Sequence, residues 1–214
     1  MQLSILFSNI QAMFKSKEIR WFSPTEDKRI TAWFKAGKPG FEATHARTDH
    51  YLPLPGKNDM GFKLREGKIE AKFRTGTPKI GKLTNGAEGY LEDWVKWSFN
   101  VSKDDPLAND ILKKERYSWI GVYKERMGLK LTKDEKDQTR FFDIMDPIDF
   151  GCQVEYTRIT VQEQQWFTFG LEWFGDMYLE LDPDVVSDIL GDSSLKIDES
   201  MGYSEFFNRN LKIS

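Results

Sequence analysis

Apolar and polar residues alternate with period two along much of the chain, most sharply over residues 61–74. Phe62 and Leu64 interleave with Lys63 and Arg65; beyond Glu66-Gly67, Ile69, Ala71 and Phe73 interleave with Glu70, Lys72 and Arg74. The pattern predicts two antiparallel strands around a tight turn, with one apolar face and one almost fully charged face. The design recurs. In 17–22, Glu18 and Arg20 oppose Ile19 and Trp21. In 94–101, Lys96, Ser98 and Asn100 oppose Val95, Trp97 and Phe99. In 119–131, read as one strand or as two divided at Gly128, Lys124 and Arg126 share a face with Val122. In 153–161, Gln153, Glu155 and Thr157 oppose Val154 and Tyr156, and in 166–175, Thr168, Gly170 and Glu172 oppose Phe167, Phe169, Leu171 and Trp173. Residues 43–52, with Arg47, Asp49 and Tyr51 on one side, and residues 29–35 are further predicted strands.

Helical spacing is confined to short segments. Leu3, Leu6, Phe7, Ile10, Met13 and Phe14 predict an amphipathic helix over 2–14. Asp104-Asp105-Pro106 opens a helix to about Arg116, Asp182-Pro183 opens one that Gly191 ends, and a last one covers 204–210. The Gly-rich stretch 75–89 and the charged run 132–140 read as loops. No repeat or long linker divides the chain, so the expectation is one domain over 1–214: a mainly β (α+β) sheet of about eight strands with a helix at 2–14 and C-terminal helices within 183–210.

Composition narrows the function. The 214 residues are 39% hydrophobic and 30% charged, with a net charge of −3, which suits a globular domain and gives no global basic field for nucleic acid. One cysteine, Cys152, excludes an intrachain disulfide and a multi-cysteine zinc site and fits a cytoplasmic location. Segment 2–14 lacks a basic n-region and is too short to span a bilayer, so it is read as packed on the body, with no membrane partner. Cys152 has no adjacent His and is read as inert; His45 and His50 share no metal-ligand spacing and are read as ordinary polar residues. Glycine-rich phosphate loops are absent.

Strands with one charged face suit several architectures. An open sheet would show the charges to water. A transmembrane barrel would turn the apolar face to lipid, which the short strands and polar helices oppose. A closed or nearly closed soluble barrel would turn the charges into a tunnel. Such a tunnel must hold water or an anion, because an isolated buried charge costs about several kcal/mol even after relaxation. Lysines and arginines from several strands would then converge on one volume, and interleaved glutamates would suit a divalent metal.

The series ARTDHYL, FKLREG and KIEAKFR, followed by Lys124-x-Arg126 and the glutamate-bearing VEYT and FGLEWFG, resembles the CYTH proteins, or triphosphate tunnel metalloenzymes. The resemblance implies an eight-stranded antiparallel tunnel acting on triphosphates or polyphosphate with Mg²⁺ or Mn²⁺. It points to Lys63, Arg65, Lys72, Arg74, Lys124 and Arg126 as phosphate contacts, with Glu155 and Glu172 as metal ligands. Lys96 shares the charged face. The family's first-strand Glu-x-Glu-x-Lys is represented by Glu18-Ile-Arg20-Trp-Phe22. Glu18 survives as a metal-ligand candidate; Arg20 would repel a cation and attract phosphate, and Glu70 could replace the missing ligand. The expected activity is binding of a small phosphate-rich anion, a triphosphate, polyphosphate or nucleotide. It is extended by metal-dependent hydrolysis if the altered first strand permits. The alternative is a β-rich structural or interaction protein whose charged strand faces are merely solvated. No catalytic residue is assigned.

Overall fold

Glu66 and Gly67 both have positive φ, 48° and 73°, the geometry of a two-residue turn whose twist matches that of the strands it joins. They link β3 (Met60–Arg65) to β4 (Lys68–Lys82), with Arg65 opposite Lys68 and Lys63 opposite Glu70. Gln162 and Glu163, at φ 48° and 65°, make the same turn between β8 (Gly151–Val161) and β9 (Gln164–Phe174). The structure is a computed structural model and describes residues 10–37, 46–102, 104–113 and 118–212.

The other strands are β1 (Ile10–Ser23), β2 (Arg47–Leu52), β5 (Glu88–Asn100), β6 (Ile120–Lys133) and β7 (Thr139–Asp143). Their order is β2-β3-β4-β5-β1-β9-β8-β6, and β2 pairs back onto β6 with Arg47 opposite Lys124 and Tyr51 opposite Ile120. The result is a closed, eight-stranded antiparallel barrel, with β7 as a ninth strand outside the ring on β6. Closure leaves each strand of the ring two neighbours and one inner face. The charged faces therefore lie inside, and the open sheet with solvated charges is not what forms.

The outer face carries the main core. Ile19, Trp21, Met127, Leu129, Val154 and Leu171 are buried under α1 (Lys28–Lys35) and α3 (Pro183–Leu190), through Ile30, Phe34, Val186 and Ile189. On the opposite wall Leu64 and Ile69 pack with Trp119 and with Ile111 of α2 (Pro106–Lys113). α4 (Tyr203–Asn210) seats Phe206 and Phe207 against Phe22, Val122, Ile159 and Trp166. Those four have the same strand parity as Arg20, Lys124, Glu155 and Gly170, so α4 fills one end of the barrel and leaves a blind tunnel. No helix among the described residues is long and apolar enough to cross a membrane.

Several expectations are corrected. Residues 29–35 form a helix. Asp27 caps it by accepting hydrogen bonds from the Arg29 and Ile30 amides, and Ile30 and Phe34 bury one face at i, i+4 spacing. The expected helix over 2–14 fails where it can be checked: Ile10–Phe14 extend β1, and 2–9 lie outside the described residues. Residues 75–82 are strand, with Gly76 (φ 76°) and Pro78 in an irregularity between Thr75 and Lys79 where the ladder with β5 is interrupted. β6 runs unbroken through Gly128, which stays opposite Glu155. The run 132–140 is a tight hairpin into β7, organised by the Asp134 carboxylate accepting from the Lys136 and Gln138 amides. β2 starts at Arg47 and α2 ends at Lys113; residues 43–45, including His45, and 114–117 lie outside the described residues.

Candidate functional site: a charged tunnel

Period-two alternation on a closed sheet sends every second side chain inward. Glu18 and Arg20 come from β1, Arg47 from β2, Lys63 and Arg65 from β3, Glu70 and Lys72 from β4, and Lys96 from β5. Lys124 and Arg126 come from β6, Glu155 from β8 and Glu172 from β9. All of these line one cavity, open to solvent and bounded at its blind end by Tyr203. Of the twelve residues singled out in the sequence, only Arg74 does not line it. Arg74 pairs instead with Glu92, beside the Trp94 ring. The pattern gave no separate signal for the roles of Arg47, Asp49, Tyr51 and Tyr203, although Arg47, Asp49 and Tyr51 do alternate on one face.

The lining charges form a network. Glu155 accepts from Arg20 at 2.8 Å, from the Gln153 amide at 2.9 Å and from Arg126 at 3.5 Å. Glu70 holds Lys63 at 2.8 Å and Arg65 at 2.9 Å. The fully buried Asp49 holds Arg47 at 2.9 Å and Lys124 at 3.1 Å. Lys124 also donates to the Tyr51 hydroxyl at 2.6 Å and sits 4.0 Å from the Tyr203 ring centroid. Glu18 accepts from Lys72, whose ammonium lies 4.8 Å from the Trp94 ring centroid. Burial favours the neutral form of each carboxyl, but at Glu70 the surrounding Lys63, Arg65 and Lys96 win and bring it down to about 2. Burial is likewise outweighed at Asp49 by Lys124, Lys63 and Arg47, and at Glu155 by Arg20, Arg126 and Lys124, so both stay ionised well below the usual carboxylate range.

Positive charge is in excess. Among the described residues, eight cationic side chains line the cavity against four glutamates. Burial, reinforced by the adjacent Arg65, pushes the Lys63 ammonium down to about 8 despite its contact with Glu70. Burial also brings Lys124 to about 8 despite Asp49 and Glu155.

Glycine makes room for one of these cations. A Cβ at Gly170 would lie 2.7 Å from the Arg20 guanidinium carbon. Gly170→Ala is expected to dislodge Arg20 from Glu155 and Thr168 and to cost about 1–3 kcal/mol in urea unfolding. An unchanged midpoint would show that Arg20 does not depend on that gap.

No known family profile matches this chain, and no curated protein does. Among solved structures, a conserved hypothetical protein from Pyrococcus furiosus matches with a TM-score of 0.36 at 12% identity, over 89% of this chain and 98% of that one. The lining of the tunnel is therefore what bears on function.

Glu18 and Glu172 are direct cross-strand partners on β1 and β9. Burial and the nearby Glu18 charge push Glu172 upward, whereas Lys72 and Arg20 outweigh burial at Glu18 and keep it low. The neutral form is thus favoured at Glu172 and the ionised form at Glu18. The other two metal-ligand candidates are engaged elsewhere, Glu70 by Lys63 and Arg65 and Glu155 by Arg20 and Arg126. Among the described residues no group of three or more His, Cys, Asp or Glu is arranged to hold a metal ion. The four-glutamate set expected for Mg²⁺ or Mn²⁺ does not fit the side chains as they stand. Cys152 is buried in the outer core, and burial pushes its thiol up.

Proposed function

We propose that the tunnel binds a small phosphate-rich anion, a triphosphate, polyphosphate or nucleotide, entering from the open end. The observation that carries this reading is the convergence, among the described residues, of eight Lys and Arg side chains from six strands on one cavity lined by four glutamates, with Asp49 behind Arg47 and Lys124 as a fifth carboxylate. A polyanion supplies the negative charge this lumen lacks, and its oxygens accept from ammonium and guanidinium groups together. Lys63 and Lys124 support it further, because a buried ammonium held down near 8 gains most from a new anionic neighbour.

The sign of the pH dependence follows. Both lysines are charged below pH 8 and lose their protons as pH rises through about 8 in the free protein. A bound anion favours the charged forms, so binding above that pH takes up protons and affinity falls. Titration calorimetry of tripolyphosphate from pH 7 to pH 10 in buffers of different ionisation enthalpy is expected to show weakening beyond about 8 with net proton uptake. A flat profile would remove these lysines from the contact set.

A thermal-shift series with tripolyphosphate, ATP and sulfate, with and without Mg²⁺ or Mn²⁺, tests the reading. Selective anions are expected to raise the midpoint without metal by mass action; no response to any anion would overturn it. Metal-dependent hydrolysis is a second reading, resting on the Glu18–Glu172 pair. It requires Glu172 to ionise and Glu18 to give up the Lys72 contact, and phosphate release that depends on metal and disappears in Glu172→Gln would support it.

A further inference from the structure

The open end of the tunnel is not uniformly polar. Beyond the lumen lies a vestibule, which shares Arg126, Lys96, Gln153 and Glu172 with the lumen lining. Most of its lining is polar, Arg47, Arg65, Glu66 and Lys130 included, but one side carries a strip of Ile144, Met145, Ile148 and Phe174. A side groove shares Ile148 and Phe174 and adds Phe14. Phe14 and Met145 are 50% and 63% exposed. That apolar strip, beside an otherwise charged mouth, adds nothing to the capture of a wholly inorganic anion, which would be served as well by polar residues.

The strip is built in. The segment from Asp143 to Phe150 leaves β7, outside the ring, and returns to β8. It is folded by the Asp143 carboxylate accepting from the Met145 amide at 3.0 Å and by Asp146 accepting from the Asp143 amide at 3.0 Å; Lys130 donates to the Asp146 carbonyl at 2.5 Å. Its Ile144 tucks against Gly128, where a Cβ would stand 2.5 Å from the isoleucine Cδ1 and 3.5 Å from the Glu155 Cβ. Gly128 has the strand parity of Lys124 and Arg126, the inward face. The missing side chain there lets an apolar residue reach the tunnel mouth. Beside this segment, Phe174 ends β9 opposite Gly151, with the Lys130 ammonium 5.9 Å from its ring centroid.

We propose that the natural ligand is amphiphilic: an organic phosphate whose anionic head enters the lumen while a directly attached hydrocarbon group lies in the vestibule, under Ile144 and Ile148 and against Phe174. This rests on the anion-binding reading of the tunnel and narrows its ligand class. The head group is fixed by charge, whereas the apolar group is held by burial, which is non-directional and scales with the area removed from water.

Titration calorimetry on the full chain with tripolyphosphate, methyl phosphate and hexyl phosphate separates the two levels. Hexyl phosphate is expected to bind at least about tenfold more tightly than methyl phosphate, because five further methylenes leave water even if only part of that area is buried. In the double variant Met145→Ser, Ile148→Ser, both on the exposed or half-exposed segment, the hexyl advantage is expected to fall to about threefold or less while tripolyphosphate binding is unchanged. Equal affinity for the two esters with tripolyphosphate bound would overturn the amphiphilic ligand and leave the tunnel reading standing. A chain-length advantage that survives the double variant would move the hydrocarbon away from this vestibule and overturn the proposal. Binding of none of the three would overturn the tunnel reading and this proposal with it.

Discussion

Glu155→Ala is expected to destabilise the free protein by about 3–5 kcal/mol, because it leaves buried cations without their counter-charge. Glu155 is the shared acceptor of Arg20, Arg126 and the Gln153 amide, and Arg20 and Glu155 are both buried. Arg20 would keep Thr168, a neutral acceptor at 3.1 Å, and no direct carboxylate contact, Glu18 acting on it only at longer range. Urea unfolding measures the loss. The same variant links stability to function: millimolar tripolyphosphate is expected to restore more stability to Glu155→Ala than it adds to the parent, since it would supply the missing negative charge. A loss below about 1 kcal/mol would mean that these charges are solvated like a surface pair. A loss without differential rescue would mean that the anion does not reach Arg20.

Lys63→Met and Lys72→Met are expected to weaken tripolyphosphate binding by about tenfold or more each, as loss of one partner of a desolvated charge pair does. Methionine keeps most of the stem volume and removes only the ammonium. The two positions approach the lumen from neighbouring strands, Lys63 beside Glu70 and Lys72 beside Glu18. Glu70 retains Arg65 at 2.9 Å when Lys63 is removed, so the variant keeps one of that carboxylate's partners. Lys82→Met is the control: Lys82 is exposed and pairs with Glu88 outside the cavity, and calorimetry is expected to show no change. Equal weakening in all three would indicate a general charge effect and not a site.

The acid limb of stability has a definite sign. Glu70 is brought down to about 2 from the usual carboxylate value. It contributes stability above its unfolded pKa, near 4, and that contribution is lost as pH falls from there toward 2. Glu70→Gln is expected to shrink the fall in urea midpoint between pH 5 and pH 3; an unchanged fall would place the acid sensitivity at other carboxylates such as Asp49 and Glu155.

The parts legible in the sequence were those set by short-range alternation. The β3–β4 hairpin, the charged faces of β1, β5, β6, β8 and β9, and the capped helix after Asp182 all follow from local pattern and turn chemistry. Segment 29–35 misled because Ile30 and Phe34 fit both a two-residue and a four-residue period over so short a span. Residues 75–82 misled because Gly76 and Pro78 mark a ladder irregularity as readily as a loop. Long-range geometry was not legible. Nothing local states that β2 pairs with β6, that α4 fills one end of the barrel, or that Glu155 answers Arg20 while Glu70 answers Lys63. Arg74 illustrates the limit: it has the inward parity of Lys72, yet Glu92 takes it out of the cavity lining. Ile144 over Gly128 is equally invisible, since one contributes a side chain and the other only its absence.

The most direct measurement is the position of a bound anion. Crystals of the full chain soaked with tripolyphosphate, without added metal, are expected to show its density inside the barrel, within hydrogen-bond distance of Lys63, Lys72 and Lys124. Density confined to the outer surface, with the lumen cations still held by their glutamates, would contradict the account.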